Sequence, residues 1–206
     1  MNDRNYHHGN LREALTEAAQ DILATGGVEA LSLRKVALKA GVSPTALYSH
    51  FKDKRALLAL LATRGFEQLS AYMETETHKA GSSSDTDAFS LLSLARGYVK
   101  FAVENAELFR LMFGQEVGNL RDFPELAEAG SKCYAMMADC VATRVNINNP
   151  ATSPTVAATA AWSLVHGLAT LINDGRVSAN SCGVTSNDEM IRQVCQTLFV
   201  RAGDRA

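Results

Sequence analysis

The sequence predicts an all-α fold, on three observations. Ala and Leu dominate the composition, only four prolines are present, and no long alternation of apolar and polar residues marks a strand. Apolar residues instead recur at three- and four-residue spacing through most of the chain, the signature of amphipathic helices.

The elements follow in order. A first helix is expected from about Asn10 to Thr25, where Leu11, Leu15, Ala18, Ala19, Ile22 and Leu23 share one face. Asn10 can cap its start, and Gly26-Gly27 stop it. Ser32 suits the cap of a second helix, with Leu33, Val36, Ala37 and Ala40 as its apolar stripe and Gly41 as its left-handed terminator. Ser43-Pro44 is a cap followed by proline at the first helical position, a strong start signal. The third helix is short, 44–50, with Leu47 and Phe51 facing inward. Asp53 can cap a long fourth helix, 54–78, whose apolar positions are Leu57, Leu58, Leu61, Ala62, Phe66, Leu69 and Met73. The Gly81-Ser82-Ser83-Ser84-Asp85 stretch reads as a loop. Further helices are expected at about 87–104, 105–114, 123–146, 152–175 and 187–202, punctuated by Asn105, Pro124, Pro150, Pro154 and Gly175.

Composition bounds the function classes. The 206 residues are 47% apolar and 20% charged, an ordinary globular mix able to bury a sizeable core in one or two small domains. The longest uninterrupted apolar run, Ala56 to Ala62, is seven residues, against ~20 for a membrane span, so no membrane partner is expected. The first eight residues show no apolar leader core, so no secretory signal is expected. Cys133, Cys140, Cys182 and Cys195 are scattered without a CxxC pair and read as reduced thiols of a cytoplasmic protein. The net charge of −2 hides an asymmetry: residues 1–64 sum to +3 and residues 65–206 to −5. A basic head on an acidic body suggests that only the head meets a polyanion.

Two short helices joined by Gly41-Val42-Ser43 make a helix-turn-helix, whose second helix can enter the major groove of DNA. Such a helix must be short, exposed and polar on its outer side, and residues 44–50 meet that description. Thr45, Ser49 and His50 lie off the Leu47–Phe51 face, and Tyr48 can set its ring on the sugar-phosphate backbone. Lys54 opens the next helix, and Arg34 can reach a phosphate or a base edge. Backbone N–H groups at the Ser32 and Ser43 helix starts suit phosphates. By pattern alone, the same helix-Gly-helix joint also occurs in helical proteins that bind no nucleic acid.

The stretch from Leu31 to Leu58, with its Ala40-Gly41-Val42-Ser43 turn, its Leu47-Tyr48-Ser49-His50-Phe51 run and Lys54-x-x-Leu57-Leu58, resembles the DNA-binding domain of the TetR (tetracycline repressor) family of bacterial transcription regulators. The resemblance covers residues 6–64, and Tyr6 to Arg12 is similar to the lead-in of one branch. It implies a three-helix DNA-binding domain (1–53), joined by a long helix to a helical effector-binding and dimerisation domain (54–206). The family's DNA-contact positions fall on Arg34, Ser43, Thr45, Tyr48, Ser49, His50 and Lys54, while Ala46 offers only a methyl. No Arg, Lys, Asn or Gln stands in the recognition helix, so bidentate base contacts are missing and DNA shape must carry part of the specificity. Arg4 and Tyr6 to Asn10 could serve as an arm on the DNA or as a frayed tail; His7-His8 lacks a third ligand and makes a poor metal site. No cofactor is implied.

In the body, Trp162-Ser163-Leu164-Val165-His166-Gly167-Leu168 and the run Asn105 to Phe113 resemble one branch of the family, named for its Trp-His-Gly signature. His166 shares a helix face with Trp162, Val165, Ala169 and Ile172, and can be read as a ligand contact or as a satisfied core histidine. Phe101, Phe109, Met112, Phe113, Met136 and Met137, with Trp162 and His166, are the candidate lining of an effector pocket, although each equally suits an ordinary core. The last two helices match the family's dimerisation pair. Ala157, Ala158, Ala160, Ala161 and Ala169 would permit close packing, and Ile191, Val194, Cys195 and Leu198 would supply the seam.

No G-x-S-x-G elbow, HExxH, P-loop or GxGxxG appears, so no enzyme is expected. The expectation is a regulator, a repressor by family habit, that binds a pseudo-palindromic double-stranded DNA operator as a homodimer. A small, largely apolar effector would release it. The alternative is a helical small-molecule-binding protein without operator binding.

Overall fold

The structure is a computed structural model that describes the backbone of residues 8–80, 86–148 and 153–196, and the side chains of 11–79, 91–142 and 153–196. The expectations for the side chains of His7-His8, the N-terminal arm and Leu198 lie outside the described residues; Asn10, expected to cap the first helix, lies inside it, because the helix already runs from His8. Among the described residues the chain is all-α. In order come α1 (His8–Ala30), α2 (Leu33–Lys39), α3 (Pro44–Tyr48), α4 (Lys54–Ala80), α5 (Thr86–Glu104), α6 (Ala106–Phe113), α7 (Pro124–Asn148), α8 (Pro154–Asn173) and α9, described as Asn187–Gln196. Single 3-10 turns stand at Leu120–Asp122 and Asn180–Cys182, neither expected from the periodicity.

Caps set the boundaries where the local sequence said they would. Ser32 Oγ accepts the Lys35 N–H at 3.3 Å and Ser43 Oγ accepts the Ala46 N–H at 3.2 Å, each satisfying a first-turn donor. Gly41 takes φ +71° just after the Ala40 C-cap, a conformation that side chains resist. At Gly27 the backbone leaves the helix (φ +66°, ψ −173°), and a further turn then runs on to Ala30, past the expected end. α3 stops at Tyr48, two residues early, because Ser49 is already its C-cap.

The chain falls into two compact units, residues 1–66 with 105–129, and residues 67–104 with 130–206. This is a division by packing, and it assigns α6 and its following loop to the same unit as α1, α2 and α3. In the first unit Leu15, Leu23, Leu31, Val36, Leu47, Phe51, Leu57, Leu58 and Leu61 form the core. α6 packs on α1, and Phe66, Phe109 and Phe113 meet as a chain of rings, 5.4 and 5.0 Å between centroids. Arg64 forks onto Glu13 of α1, one N–H···O contact being 2.8 Å, and that bonding holds the Glu13 carboxyl below its usual range.

In the second unit α5 is the centre, packed on α8 and α9. Gly97 lets α5 touch α4 backbone to backbone: a Cβ there would stand 2.6 Å from Met73 Cα. Asn173 donates to the Ala102 carbonyl at 2.9 Å, and Arg96 forks onto Asp188 at 2.5 and 2.9 Å. All four cysteines are free, and burial pushes the Cys133 and Cys195 thiols up to about 11.

Two expectations need correction. Ile191 and Cys195, expected at a seam between protomers, are 5% and 4% exposed within one chain. Ala158, Ala161 and Ala169 are likewise buried at home. An amphipathic stripe reports that a face is covered, not which molecule covers it. The outward face of α8 instead carries Val156 (62% exposed), Ala160, Gly167 and Leu171 (43% exposed). With apolar residues on both sides, α8 has a mean hydropathy of 1.4 over an 18-residue window that is 28% buried. By length and composition it is one helix that could cross a membrane, which the count of uninterrupted apolar residues did not register.

Gly97→Ala is expected to destabilise the second unit by about 1–3 kcal/mol, because backbone rather than a side-chain tip must yield. Gly167→Ala, with no atom within 4 Å of its added Cβ, is expected to leave the isolated fold at least as stable. Denaturant titration of both variants checks the contrast.

Candidate nucleic-acid interface

The helix-turn-helix is assembled from short-range bonds. Val42 N–H returns to the Ala37 carbonyl at 2.9 Å, closing the turn, and Phe51 N–H returns to Leu47 at 3.0 Å, carrying the chain out of α3. Leu47 and Phe51 are 1% and 2% exposed, so the inner side of α3 is fixed and its outer side faces away from the core. Arg12 places its guanidinium 5.8 Å from the Phe51 ring centroid and backs the same anchor from α1.

The seven expected DNA-contact side chains divide by what their polar atoms already do. Arg34, Thr45 and Tyr48 are exposed and His50 is half-buried, and their polar side-chain atoms have no protein partner among the described residues. The other three are engaged. Ser43 Oγ caps α3, Ser49 Oγ donates to the Ala46 carbonyl at 2.7 Å, and Lys54 Nζ donates to the Val28 carbonyl at 3.0 Å. An ammonium has two further N–H donors, so Lys54 can hold the end of α1 and still meet a phosphate. The two serine hydroxyls keep capacity beside these bonds: Ser43 Oγ accepts and still has its proton to donate, and Ser49 Oγ donates and still has lone pairs to accept with.

Comparison with known proteins agrees with this geometry. Residues 15–61 match the family description "Bacterial regulatory proteins, tetR family", and residues 91–198 match "Tetracyclin repressor-like, C-terminal domain". An uncharacterized HTH-type transcriptional regulator of Bacillus subtilis, YobS, is 31% identical over 168 residues, 80% of each chain. A solved structure of a protein with unknown function from Rhodococcus sp. RHA1 superposes with a TM-score of 0.79 at 32% identity, covering 96% of this chain and 97% of that one. The chain belongs to the TetR family. It is therefore a DNA-binding transcription regulator and not an enzyme.

Likeness to tetracycline repressors themselves covers only part of the chain, at most 39% of it in the class A repressor of Escherichia coli. The class C repressor of Escherichia coli is 49% identical over 51 residues, a quarter of this chain and 23% of that one. The body of this TetR-family regulator must be read from its own residues.

The eight candidate effector residues are divided between the two units. Phe109, Met112 and Phe113 belong to the first unit, where the virtual Cβ of Gly65 lies 2.5 Å from Met112 Sδ and the two phenylalanines stack in the ring chain. Phe101, Met136, Met137, Trp162 and His166 belong to the second unit. There Phe101 is fully buried against Tyr72 and Met137 is 2% exposed, as core residues are. Trp162 and His166 join a polar relay that the sequence did not disclose. Trp162 Nε1–H donates to the Tyr98 hydroxyl at 3.3 Å, and that hydroxyl lies 2.9 Å from His166 Nδ1. Which group donates at this contact depends on the imidazole tautomer: with Nδ1 unprotonated, the Tyr98 hydroxyl gives it its proton. The Tyr134 ring packs edge-on to Trp162 at 5.7 Å. Tyr98 was missed because 68 residues separate it from His166 and no spacing rule links them. Two clefts, of about 280 and 300 Å³, lie within the units and are lined by other residues, the first by Val99, Val103 and Ile191 among ion pairs, the second by Arg12, Ala59, Phe123 and Leu126.

Burial pushes the His166 imidazole below its ordinary value. A depressed folded value means that the neutral ring's contribution is complete above the unfolded value and is lost as pH falls through the folded one. Between about pH 7.5 and 5 the melting temperature of the wild type is therefore expected to fall more than that of His166→Gln, which cannot protonate. Equal slopes in thermal melts would sink this reading.

Proposed function

We propose that this TetR-family regulator is a repressor that binds a pseudo-palindromic operator as a homodimer and lets go when a small, largely apolar effector enters its body. Residues 1–53 would carry DNA binding, and residues 54–206 effector binding and dimerisation. The observation that carries the reading is the group of unpartnered polar side chains on the helix-turn-helix: Arg34, Thr45, Tyr48 and His50 beside a seated α3. Thr45 and His50 would face base edges, while Tyr48, Lys54 and Arg34 would hold the backbone. Ser43 would contribute through the N–H groups of the helix start and its free hydroxyl proton, and Ser49 through the free lone pairs of its hydroxyl.

A second copy would cover the outward face of α8, where Val156, Ala160, Gly167 and Leu171 recur on one side. Two heads would then meet half-sites about one turn, ~34–36 Å, apart or further. Support for an effector comes from one polar atom: Ser93 Oγ, on α5, is buried with no hydrogen-bond partner among the described residues. Such a group costs about 1–3 kcal/mol and is the kind a bound molecule satisfies. Trp162, His166, Phe101, Met136 and Met137 remain the effector-lining candidates of the second unit, and Phe109, Met112 and Phe113 those of the first. The Trp-His-Gly segment would place the chain in the branch named for it. Its compartment would be the cytoplasm, where an operator is found.

Selection of bound duplexes from a random DNA pool, with purified protein, tests the core of this. The expected product is a pseudo-palindrome. No enrichment from folded protein at low salt would favour the alternative, a helical small-molecule-binding protein without operator binding. On the selected site, Lys54→Met is expected to weaken binding evenly across sequences and to reduce the salt slope by about 1. Thr45→Ala is expected to relax preference at one position of each half-site. Leu171→Glu is expected to give a monomer in sedimentation and to lose the palindrome's advantage over a single half-site; a dimer that survives this change would remove α8 as the contact.

A further inference from the structure

Three successive residues tie the first turn of α4 to three different places. Asp53 Oδ1 accepts the Ala56 N–H at 2.8 Å and caps the helix itself. Lys54 Nζ reaches the Val28 carbonyl at the end of α1. Arg55 reaches a segment more than sixty residues away, the connection between α6 and α7.

The Arg55 contacts are of four kinds. Its Nε–H donates to the Val117 carbonyl at 3.0 Å. Its Nη2 lies 3.0 Å from Asp122 Oδ2. Its Cζ stands 5.5 Å from the centroid of the Phe123 ring. Finally, Gly118 has φ +79°, and a Cβ there would lie 3.0 Å from Nη2, so the chain turns tightly around the guanidinium where only glycine fits. A lone surface ion pair would carry little weight. Here a planar, forked donor is matched on its edge by a carbonyl and a carboxylate and approached by an aromatic ring, an arrangement lysine cannot reproduce. Val117, whose carbonyl is used, is itself 3% exposed, so the strap is pinned from inside as well.

We propose that Arg55 is a positioning residue for operator binding. Its guanidinium clamps residues 117–123 to the start of α4, and this strap sets the pose of Lys54 and, through Phe51, of α3. The head in its binding-competent form is then the three helices plus the strap. The proposal rests on the operator reading above.

The test uses the full-length protein and the duplex selected from the random pool, with affinity measured by fluorescence anisotropy between about 50 and 200 mM salt. Asp122→Asn is the informative variant. It removes a negative charge from a protein that binds a polyanion, so electrostatics alone would tighten binding. The clamp predicts the opposite, a loss of about fivefold or more. Arg55→Met is expected to lose as much with an unchanged salt slope, and Arg55→Lys, which keeps the charge and not the fork, to bind as weakly as Arg55→Met. The double variant Arg55→Met with Asp122→Asn is expected to be no worse than the weaker single one, because both remove one device. Arg55 and Asp122 are 47% and 54% exposed, so melting temperatures are expected to stay close to wild type. In wild-type protein, amide exchange of residues 114–123 is expected to slow when operator is bound, which checks the strap without any substitution.

Asp122→Asn at or above wild-type affinity would overturn the proposal while leaving the operator reading intact. So would a salt slope reduced by about one in Arg55→Met together with full binding by Arg55→Lys, the pattern of a plain phosphate contact. Amide exchange in 114–123 that ignores the operator would also overturn it. Wild-type protein that binds no duplex would overturn the operator reading and this proposal together.

Discussion

A helix of five residues cannot hold itself in water. Nucleating the first turn costs more than one or two hydrogen bonds return, and isolated helices below ~12–15 residues are marginal. α3 has five residues, so its pose is imposed from outside. Leu47 and Phe51 anchor its inner side, and the Ser43 cap with Pro44 fixes its entry. Its exit is a five-residue link, 49–53, that runs straight into α4. Whatever holds the start of α4 therefore holds α3, which is why the bonds of Lys54 to Val28 and of Arg55 to Val117 matter out of proportion to their number.

What was legible in the sequence was whatever is decided within about four residues. Ser32, Gly41 and Ser43-Pro44 act on their own turns, so the helix-turn-helix could be placed to within two residues. The inward positions of α1 and α4 could be named from spacing alone. What was not legible is whatever joins distant parts of the chain. Arg55 and Asp122 are 67 residues apart, and Tyr98 and His166 are 68. No periodicity announces either pair, although both decide what their neighbourhood can do. The assignment of α6 to the unit of α1 has the same origin: its strong apolar face said that it packs, and not on what. The apolar stripe of α9 failed as a guide for the reason that it succeeded as a helix signal, since burial by a neighbour in the same chain and burial by another chain leave one pattern.

The free and engaged polar groups also bear on how an operator would be told from other DNA. A bidentate side chain on a base edge discriminates by about 1–3 kcal/mol. None of the residues of α3 can make one, and the hydroxyls of Ser43 and Ser49, each with one bond inside the helix-turn-helix, can offer single contacts only. Discrimination in the proposed complex would then come from single hydrogen bonds by Thr45 and His50, from the methyl of Ala46, and from the energy needed to shape the DNA under Tyr48 and Arg34. With less to gain per base pair, such a reader depends more heavily on using two half-sites at a fixed spacing, and so on a dimer whose heads are held firmly.

α8 brings that requirement back to packing. Its inward face, Ala158, Ala161, Val165, Leu168 and Ala169, is buried against its own unit, and its hydrogen bonds run the same way, from Trp162 to Tyr98 and from Asn173 to Ala102. A helix tied to its neighbours by such bonds cannot enter a bilayer without abandoning them, and each polar group stripped of its partner there costs several kcal/mol. Its outward face nonetheless leaves Val156 and Leu171 well exposed, beside the hydroxyls of Thr159 and Ser163 and with open space at Gly167. Water is a poor environment for that face and lipid a poor one for the other. A second α8, presenting the same stripe across a two-fold axis, would cover the first without disturbing the second, which is the physical ground on which the proposed dimer stands.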